Sequence, residues 1–329
     1  MERLVFDPGA TDQDTSFARL LRPLDEGRFF KEHWDAQPFF ADGGGRSRFD
    51  VVMNHSDFVS ALFNAKLGSP NLRYLQKSLG DRQESLDFFL RKKANWTEPQ
   101  SLGQLAEQLP GGTLVFVAIE NAVPSAKSYC RSLFADLKCQ MSINAYFSAG
   151  RDASAFDAHF DSQDVFILQL EGEKEWRLWE RERVPNAISG FPDAKSIPQP
   201  QLPADESVIL TAGDLLYVPR GMWHWPRSLD NHPSLHLTLT LVMPKPIDVI
   251  HWLTELMSEE EDFRSALPFS QHQDGAAVIG ESLERVMAFL SQKLAAPEAK
   301  TMATAYMMRE SARSVMQKTS SAVGEDKEL

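Results

Sequence analysis

The stretch "DAHFDSQDVFILQLEGEK", residues 157–174, sets His159 and Asp161 two positions apart, ahead of an apolar run that ends in Lys174. Alternate side chains of an extended strand share a face, so an imidazole and a carboxylate at this spacing can meet one cation. Two histidines and one carboxylate on one face of an octahedron suit non-haem Fe(II), with three positions left for oxygen chemistry. The second histidine must come from elsewhere, and His224, His232 and His236 are the candidates. His232 lies in "LDNHPS", which reads as an exposed loop, and is set aside. His224 closes "AGDLLYVPRGMWH", where a Gly-Asp turn begins one strand and Pro219-Arg220-Gly221 turns into the next. His236 alternates with Thr238 and Thr240 against Leu235, Leu237 and Leu239, which gives that strand one polar and one apolar face.

An HxD pair alone is weak, because a solvated carboxylate beside a surface histidine is the commoner arrangement. The downstream "GDLLYVPRGMWH" and Lys174 shift that balance. A lysine beyond "VFILQLEGE" would ordinarily be a surface-turn residue. On a strand beside a chelated oxo-acid such as 2-oxoglutarate, its ammonium meets the distal carboxylate.

These residues need a β scaffold. "CQMSINAYFSAG", "QDVFILQLEG", "KEWRLWE", "ESVILTAGDLLYVPRG" and "SLHLTLTLVM" are short and apolar, separated by Gly, Pro or Asp, and no regular helices intervene. They predict an antiparallel sandwich or barrel, and exclude a parallel βαβ sheet. The first hundred residues read as mainly helical. "DEGRFFKEHWDAQPFF" brings Phe29, Phe30 and Trp34 together on a helix stopped by Pro38, and "HSDFVSALFNAKLG" offers Ser56 as N-cap and Gly68 as terminator. After Pro244 and Pro246 helices return. Ile247, Ile250, Leu253 and Met257 form one stripe, and Ile279, Leu283, Val286, Met287 and Leu290 a second; "MATAYMMRESARSVM" adds a third, methionine-rich one. "TSSAVGEDKEL" reads as a frayed tail. The expected organisation is a helical region at 1–110, a barrel at 111–245 and a helical region at 246–329.

Composition bounds the partners. With 34 basic and 46 acidic residues the net charge is −12, which disfavours a nucleic-acid or anionic-membrane footprint and favours a basic partner. Cys130 and Cys139 stand in no CxxC pattern, so a disulfide framework, zinc ribbon or haem attachment is not expected. No segment has the ~20 apolar residues of a membrane span, and "MERLVFDPGA" lacks the apolar core of a signal peptide, so a cytoplasmic protein is expected.

"HFDSQDVFILQLEGEKEWRLW", "GDLLYVPRGMWH" and "SLHLTLTL" together resemble the JmjC-type 2-oxoglutarate oxygenases, in their cupin-like hydroxylase branch, the ribosomal oxygenases. More distantly, the chain is similar to the asparaginyl hydroxylase that inhibits hypoxia-inducible factor. The resemblance runs from "FFKEHWDAQPFF" to about Met243, and the following helices stand where that family dimerises. It implies a double-stranded β-helix, or jelly-roll, barrel with N-terminal helices and a C-terminal helical dimerisation region. It also implies that Fe(II) is held by His159, Asp161 and His224, and the distal carboxylate of 2-oxoglutarate by Lys174. Asn144 in "INAYFS" stands where the family has the asparagine of an N-x-Y motif lining the cosubstrate pocket, although the loop to the HxD pair is one residue longer; Tyr146 joins it. His236 and Thr240 match positions that flank the cosubstrate, and a barrel-wall hydrogen bond is their plainer explanation.

The implied reaction is hydroxylation of an amino-acid side chain in a protein or peptide, with succinate and CO2 as coproducts. Hydroxylation of a small molecule or peptide natural product, N-methyl-lysine demethylation, and a non-catalytic cupin binding module are the alternatives. Two departures bear on the substrate. The ribosomal oxygenases carry a winged-helix region, and the roughly eighty residues after Met243 are too few for that and the dimerisation helices. The stretch "RERVPNAISGFPDAKSIPQPQ", in the region that frames the substrate entrance in that branch, has its own sequence.

Overall fold

The computed structural model describes residues 1–5, 15–44, 47–64, 71–75, 84–85, 101–109, 112–150, 156–192, 196–229, 232–267 and 274–317. The stretch "TSSAVGEDKEL" and the terminator Gly68 lie outside them. Twelve strands are described: β1 Glu2–Val5, β2 Phe39–Asp42, β3 Leu72–Leu75, β4 Glu84–Ser85, β5 Thr113–Phe116, β6 Gln140–Ser148, β7 Asp164–Gly172, β8 Lys174–Trp179, β9 Glu206–Leu210, β10 Leu215–Val218, β11 Trp223–Ser228 and β12 Ser234–Val242. The larger sheet runs β1-β2-β10-β7-β12-β6-β5-β3-β4, and the smaller β11-β8-β9. All pairings are antiparallel except β1 with β2.

Sequence and burial explain this order. β7, "DVFILQLEG", is buried from Asp164 to Leu170 because β10 and β12 flank it and both its faces are covered. In β12 the leucines 235, 237 and 239 are fully buried on one face, and His236 and Thr238 point the other way. Between the sheets Phe40, Val165, Ile167, Trp176, Leu178, Val208, Leu210 and Leu216 pack into one core.

The N-terminal segment is more than helical. It contributes β1 and β2 to one edge of the larger sheet and β3 and β4 to the other. Four-residue strands such as "FFAD" are too short for a period-2 signal. Asn54, rather than Ser56, caps the helix His55–Asn64: Asn54 Oδ1 accepts from Asp57 N–H and Asp57 Oδ2 from Asn54 N–H, both at 3.0 Å. Phe29, Phe30 and Trp34 do gather, but the helix ends at Trp34, four residues before Pro38, because Asp35 turns left-handed with φ of 48°. Phe29 continues into Phe39, Phe166 and Tyr217 at 5.1–6.0 Å between ring centroids, which ties this segment to β2, β7 and β10.

The chain divides into two compact units, one holding Met1–Val242 and the other Met243–Ser314. The second contains the helices Pro246–Glu259, Glu261–Arg264 and Gly275–Ala295 and most of Ala299–Gln317. Within it Phe263 meets Phe289 edge-on at 5.1 Å, and Tyr306 donates to Glu255 at 2.8 Å. Of the first stripe only Leu253 is buried, beside Trp252, and Ile247 and Ile250 are exposed. Among the described residues no helix is long and apolar enough to cross a membrane.

Candidate metal centre

His159 and Asp161 are not on a strand. They occupy the loop before β7, where His159 forms an isolated antiparallel bridge with His224. His159 N–H donates to His224 O at 3.0 Å and His224 N–H to His159 O at 2.7 Å. Gly221 N–H donates to Asp161 O at 2.7 Å, so one backbone hydrogen bond ties the HxD loop to the Pro219–Met222 turn and two tie it to His224 at the start of β11. The strand periodicity expected for the pair is replaced by this bridge, and the convergence is kept. One ligand atom from each of His159, Asp161 and His224 lies within 4.8 Å of the others.

Both imidazoles are oriented the same way. His159 Nδ1 lies 2.9 Å from Asp157 O, and His224 Nδ1 lies 3.0 Å from Met222 O. A carbonyl can only accept, so each Nδ1 carries the proton and each Nε2 lone pair is free for a cation. Burial, together with the neighbouring His159, pushes His224 down to about 4 despite Asp161, so its ring is neutral at physiological pH. A neutral imidazole gives up no proton when it binds a metal. Asp161 is 40% exposed, and its Oδ2 lies 3.6 Å from His224 Nε2.

A cavity of about 210 Å³ adjoins these three residues, and Tyr146, Phe156, Ile167, Lys174, Trp176, Pro226, His236 and Thr238 complete its wall. Lys174 is 4% exposed, and Nζ donates to Ser148 Oγ at 2.8 Å. Ser148 Oγ lies 3.1 Å from Thr113 Oγ1. No carboxylate among the described residues pairs with this ammonium, and burial pushes its pKa down to about 7. A buried cation beside a cavity and a three-ligand cluster is the electrostatic complement of an anionic chelator. Tyr146 stacks on His236 with centroids 5.0 Å apart and planes 3° apart; burial and the Asp161 charge push its phenol up to about 12. His236 is held well below its ordinary pKa by burial and by Lys174, and so stays neutral.

Six of the eight residues singled out from sequence thus surround one cavity: His159, Asp161, His224, Lys174, Tyr146 and His236. Asn144 and Thr240 are not on its wall. Asn144 Oδ1 is taken by Ala118 N–H at 3.0 Å, and Thr240 stands two positions beyond Thr238, opposite Ser142. Ser148 and Trp176 escaped the sequence reading, and Thr238 was placed on the polar face of its strand without a role; each follows a singled-out residue by two strand positions: Tyr146, Lys174 and His236. His232 is exposed and lies 3.5 Å from Glu173, away from the cluster.

The family model of the JmjC domain matches residues 123–249, which span β6 to β12 and every residue of this cavity. These residues are similar to a JmjC domain. The uncharacterized protein YxbC of Bacillus subtilis is 26% identical over 83% of this chain and 86% of its own length. The bifunctional lysine-specific demethylase and histidyl-hydroxylase NO66 of Dictyostelium discoideum is 36% identical over 42% of this chain and 28% of its own. Ribosomal oxygenase 1 of Danio rerio is 23% identical over 78% of this chain, which spans 47% of that protein. The chain therefore covers less than half of these two longer relatives. YcfD, a ribosomal oxygenase from Escherichia coli solved with cobalt and 2-oxoglutarate, shares the fold with a TM-score of 0.55 at 16% identity, over 87% of this chain and 71% of that one. The JmjC jelly-roll is accordingly the fold of the unit that holds the cavity.

Proposed function

We propose that this chain is an Fe(II)- and 2-oxoglutarate-dependent dioxygenase that hydroxylates an amino-acid side chain in a protein or peptide. The observation that carries it is the convergence of His159, Asp161 and His224 on a cavity whose wall also holds the buried Lys174, which pairs with no carboxylate among the described residues. His159 Nε2, His224 Nε2 and an Asp161 oxygen would hold Fe(II), and Lys174 would receive the distal carboxylate of the cosubstrate. Iron bound there would supply, with 2-oxoglutarate and O2, hydroxylation of a substrate C–H bond coupled to release of succinate and CO2. The chain contributes orientation and a dry wall. Asp157 O and Met222 O fix the two rings, Ser148 fixes the ammonium, and Tyr146, Phe156, Ile167 and Trp176 keep water from the cavity. The names of the longer relatives point to a protein side chain, a histidyl residue among them, as the acceptor.

The helical region from 246 onward serves as a homodimer interface, supported by the outward Ile247, Ile250, Ile279, Leu283 and Met287. The regions 1–110 and 111–245 build the catalytic unit together. The net charge of −12 favours a basic substrate, and two buried cysteines outside any disulfide fit a reducing cytoplasm. Fe(II)-dependent conversion of 2-oxoglutarate to succinate by the purified chain, lost in His159→Ala, is the expected result. No turnover by the iron-loaded chain would favour a binding module. Tryptic peptides from cells with and without the gene should then differ by the mass of one oxygen; oxidation of a metabolite alone would overturn the protein substrate.

A further inference from the structure

Asp35 takes no part in the cavity, yet it is tied to the turn that delivers His224. Its carboxylate accepts from Arg220 Nε at 3.0 Å and Nη2 at 2.6 Å, and from Arg183 Nη2 at 2.6 Å. Arg183 Nη1 donates to Asp35 O at 2.9 Å, and Arg183 Nε to Arg220 O at 3.0 Å. On the other side, Asp35 N–H donates to the Tyr217 hydroxyl at 3.0 Å, which itself donates to Asp164 Oδ1 at 2.6 Å. One residue thus joins the segment after β8, the turn before β11, and strands β7 and β10.

We propose that Asp35 is a positioning residue for the metal centre, acting through Arg220 on the Pro219–Met222 turn that orients His224. The links are continuous. Arg220 is clamped by Asp35, Met222 N–H closes the turn on Pro219 O at 3.2 Å, and Met222 O receives the Nδ1 proton of His224 and so aims Nε2. The same turn holds the HxD loop through Gly221 N–H and Asp161 O. The local backbone points the same way. Asp35 sits in the left-handed region at φ of 48°, a conformation disfavoured for a residue with a side chain. Its charge is largely removed from water, with side chains 24% exposed for Asp35, 18% for Arg183 and 13% for Arg220. Burial raises its pKa, and the two arginines more than reverse this, so the carboxylate stays charged at neutral pH.

This inference rests on the metal-centre reading, and cobalt binding separates the two. Co(II) is titrated into the metal-free full chain and followed by its visible d–d absorption, with circular dichroism of the metal-free protein reporting the fold. His224→Ala should abolish the specific band; if it and the unsubstituted chain bind alike, the metal-centre reading fails and takes this one with it. Asp35→Asn keeps shape and removes charge, and should weaken Co(II) binding by about tenfold or more and alter the band. Asp35→Glu should recover part of both. A folded Asp35→Asn with unchanged affinity and band overturns the proposal alone. Where Asp35→Asn does not fold, Arg220→Lys decides, because it keeps the charge and loses the fork that matches a carboxylate; unchanged Co(II) binding there overturns the proposal. If neither variant folds, the pair serves the fold and the proposal falls. Arg28→Gln breaks ion pairs with Glu2 and Glu32, neither of which touches Asp35, Arg183 or Arg220, and should leave Co(II) binding unchanged. An equal loss in that control would mark a general N-terminal effect and sink the proposal.

Discussion

Lys174 carries the site's pH dependence. In the metal-free, anion-free state its folded pKa of about 7 lies below the 10.5 of an exposed lysine, because burial penalises the charge. For a base with a depressed folded pKa, the unfolded chain binds more protons between pH 7 and 10.5. This group therefore makes the apo protein more stable as pH rises through that window. Anion binding reverses the preference, since only the ammonium attracts a carboxylate. His236 and the stacked Tyr146 stay neutral across the range, and Ser148 does not titrate. Calorimetric titration of the Co(II)-loaded protein should therefore show the Kd for 2-oxoglutarate rising by roughly one order of magnitude from pH 7 to pH 8.5. Lys174→Met should bind at least tenfold more weakly at pH 7 and lose that slope; a slope that survives would assign the titration to another group. At this scale the sequence was informative wherever chemistry is rare. A histidine, an aspartate and a lysine announce themselves, but Ser148 and Thr238 are common residues whose role depends on sharing a face with His236 and Tyr146 across the β6–β12 register.

Among the elements, the Pro219–Met222 turn does more than connect β10 to β11. Gly221 lies at φ of 74°, and a Cβ added there would stand 1.8 Å from Val184 O. That closeness is required, because Val184 N–H donates to Gly221 O at 2.8 Å while Gly221 N–H holds Asp161. Gly190 has nearly the same φ, 76°, and nothing within 4 Å of an added Cβ. Gly190→Ala should cost only the conformational strain, about 1 kcal/mol, with metal binding intact. Gly221→Ala adds a backbone clash and should cost about 3 kcal/mol or more and weaken Co(II) binding. Thermal melts and Co(II) titration of the two variants check this, and equal effects would refute the asymmetry. Element types in the barrel were legible because β7 and β12 are nine residues long and carry a continuous or alternating apolar pattern. The HxD loop was not, since an isolated bridge and a strand place residues two apart alike in sequence. β1 and β2 were hidden by their length of four residues.

Over the chain as a whole, the described helices of the second unit carry an exposed hydrophobic stripe. Ile279, Leu283 and Met287 recur every four residues along Gly275–Ala295 and are 42%, 58% and 61% exposed, and Ile247 and Ile250 are outward on Pro246–Glu259. The 3.6-residue period made this stripe visible in the sequence; its covering was not, because an apolar face reads the same whether its own chain or a second copy buries it. Within the second unit the described helices leave it open, and a second copy that covered it in a stable homodimer would bury about 800 Å² on each partner. Light scattering on the eluting protein should give twice the 37.0 kDa of one chain at micromolar concentration. Ile279→Asp combined with Leu283→Asp should return the mass of a single chain while Co(II) binding stays unchanged, since every proposed ligand lies in Met1–Val242. A single-chain mass for the unsubstituted protein would defeat the dimer and leave the stripe for a different partner.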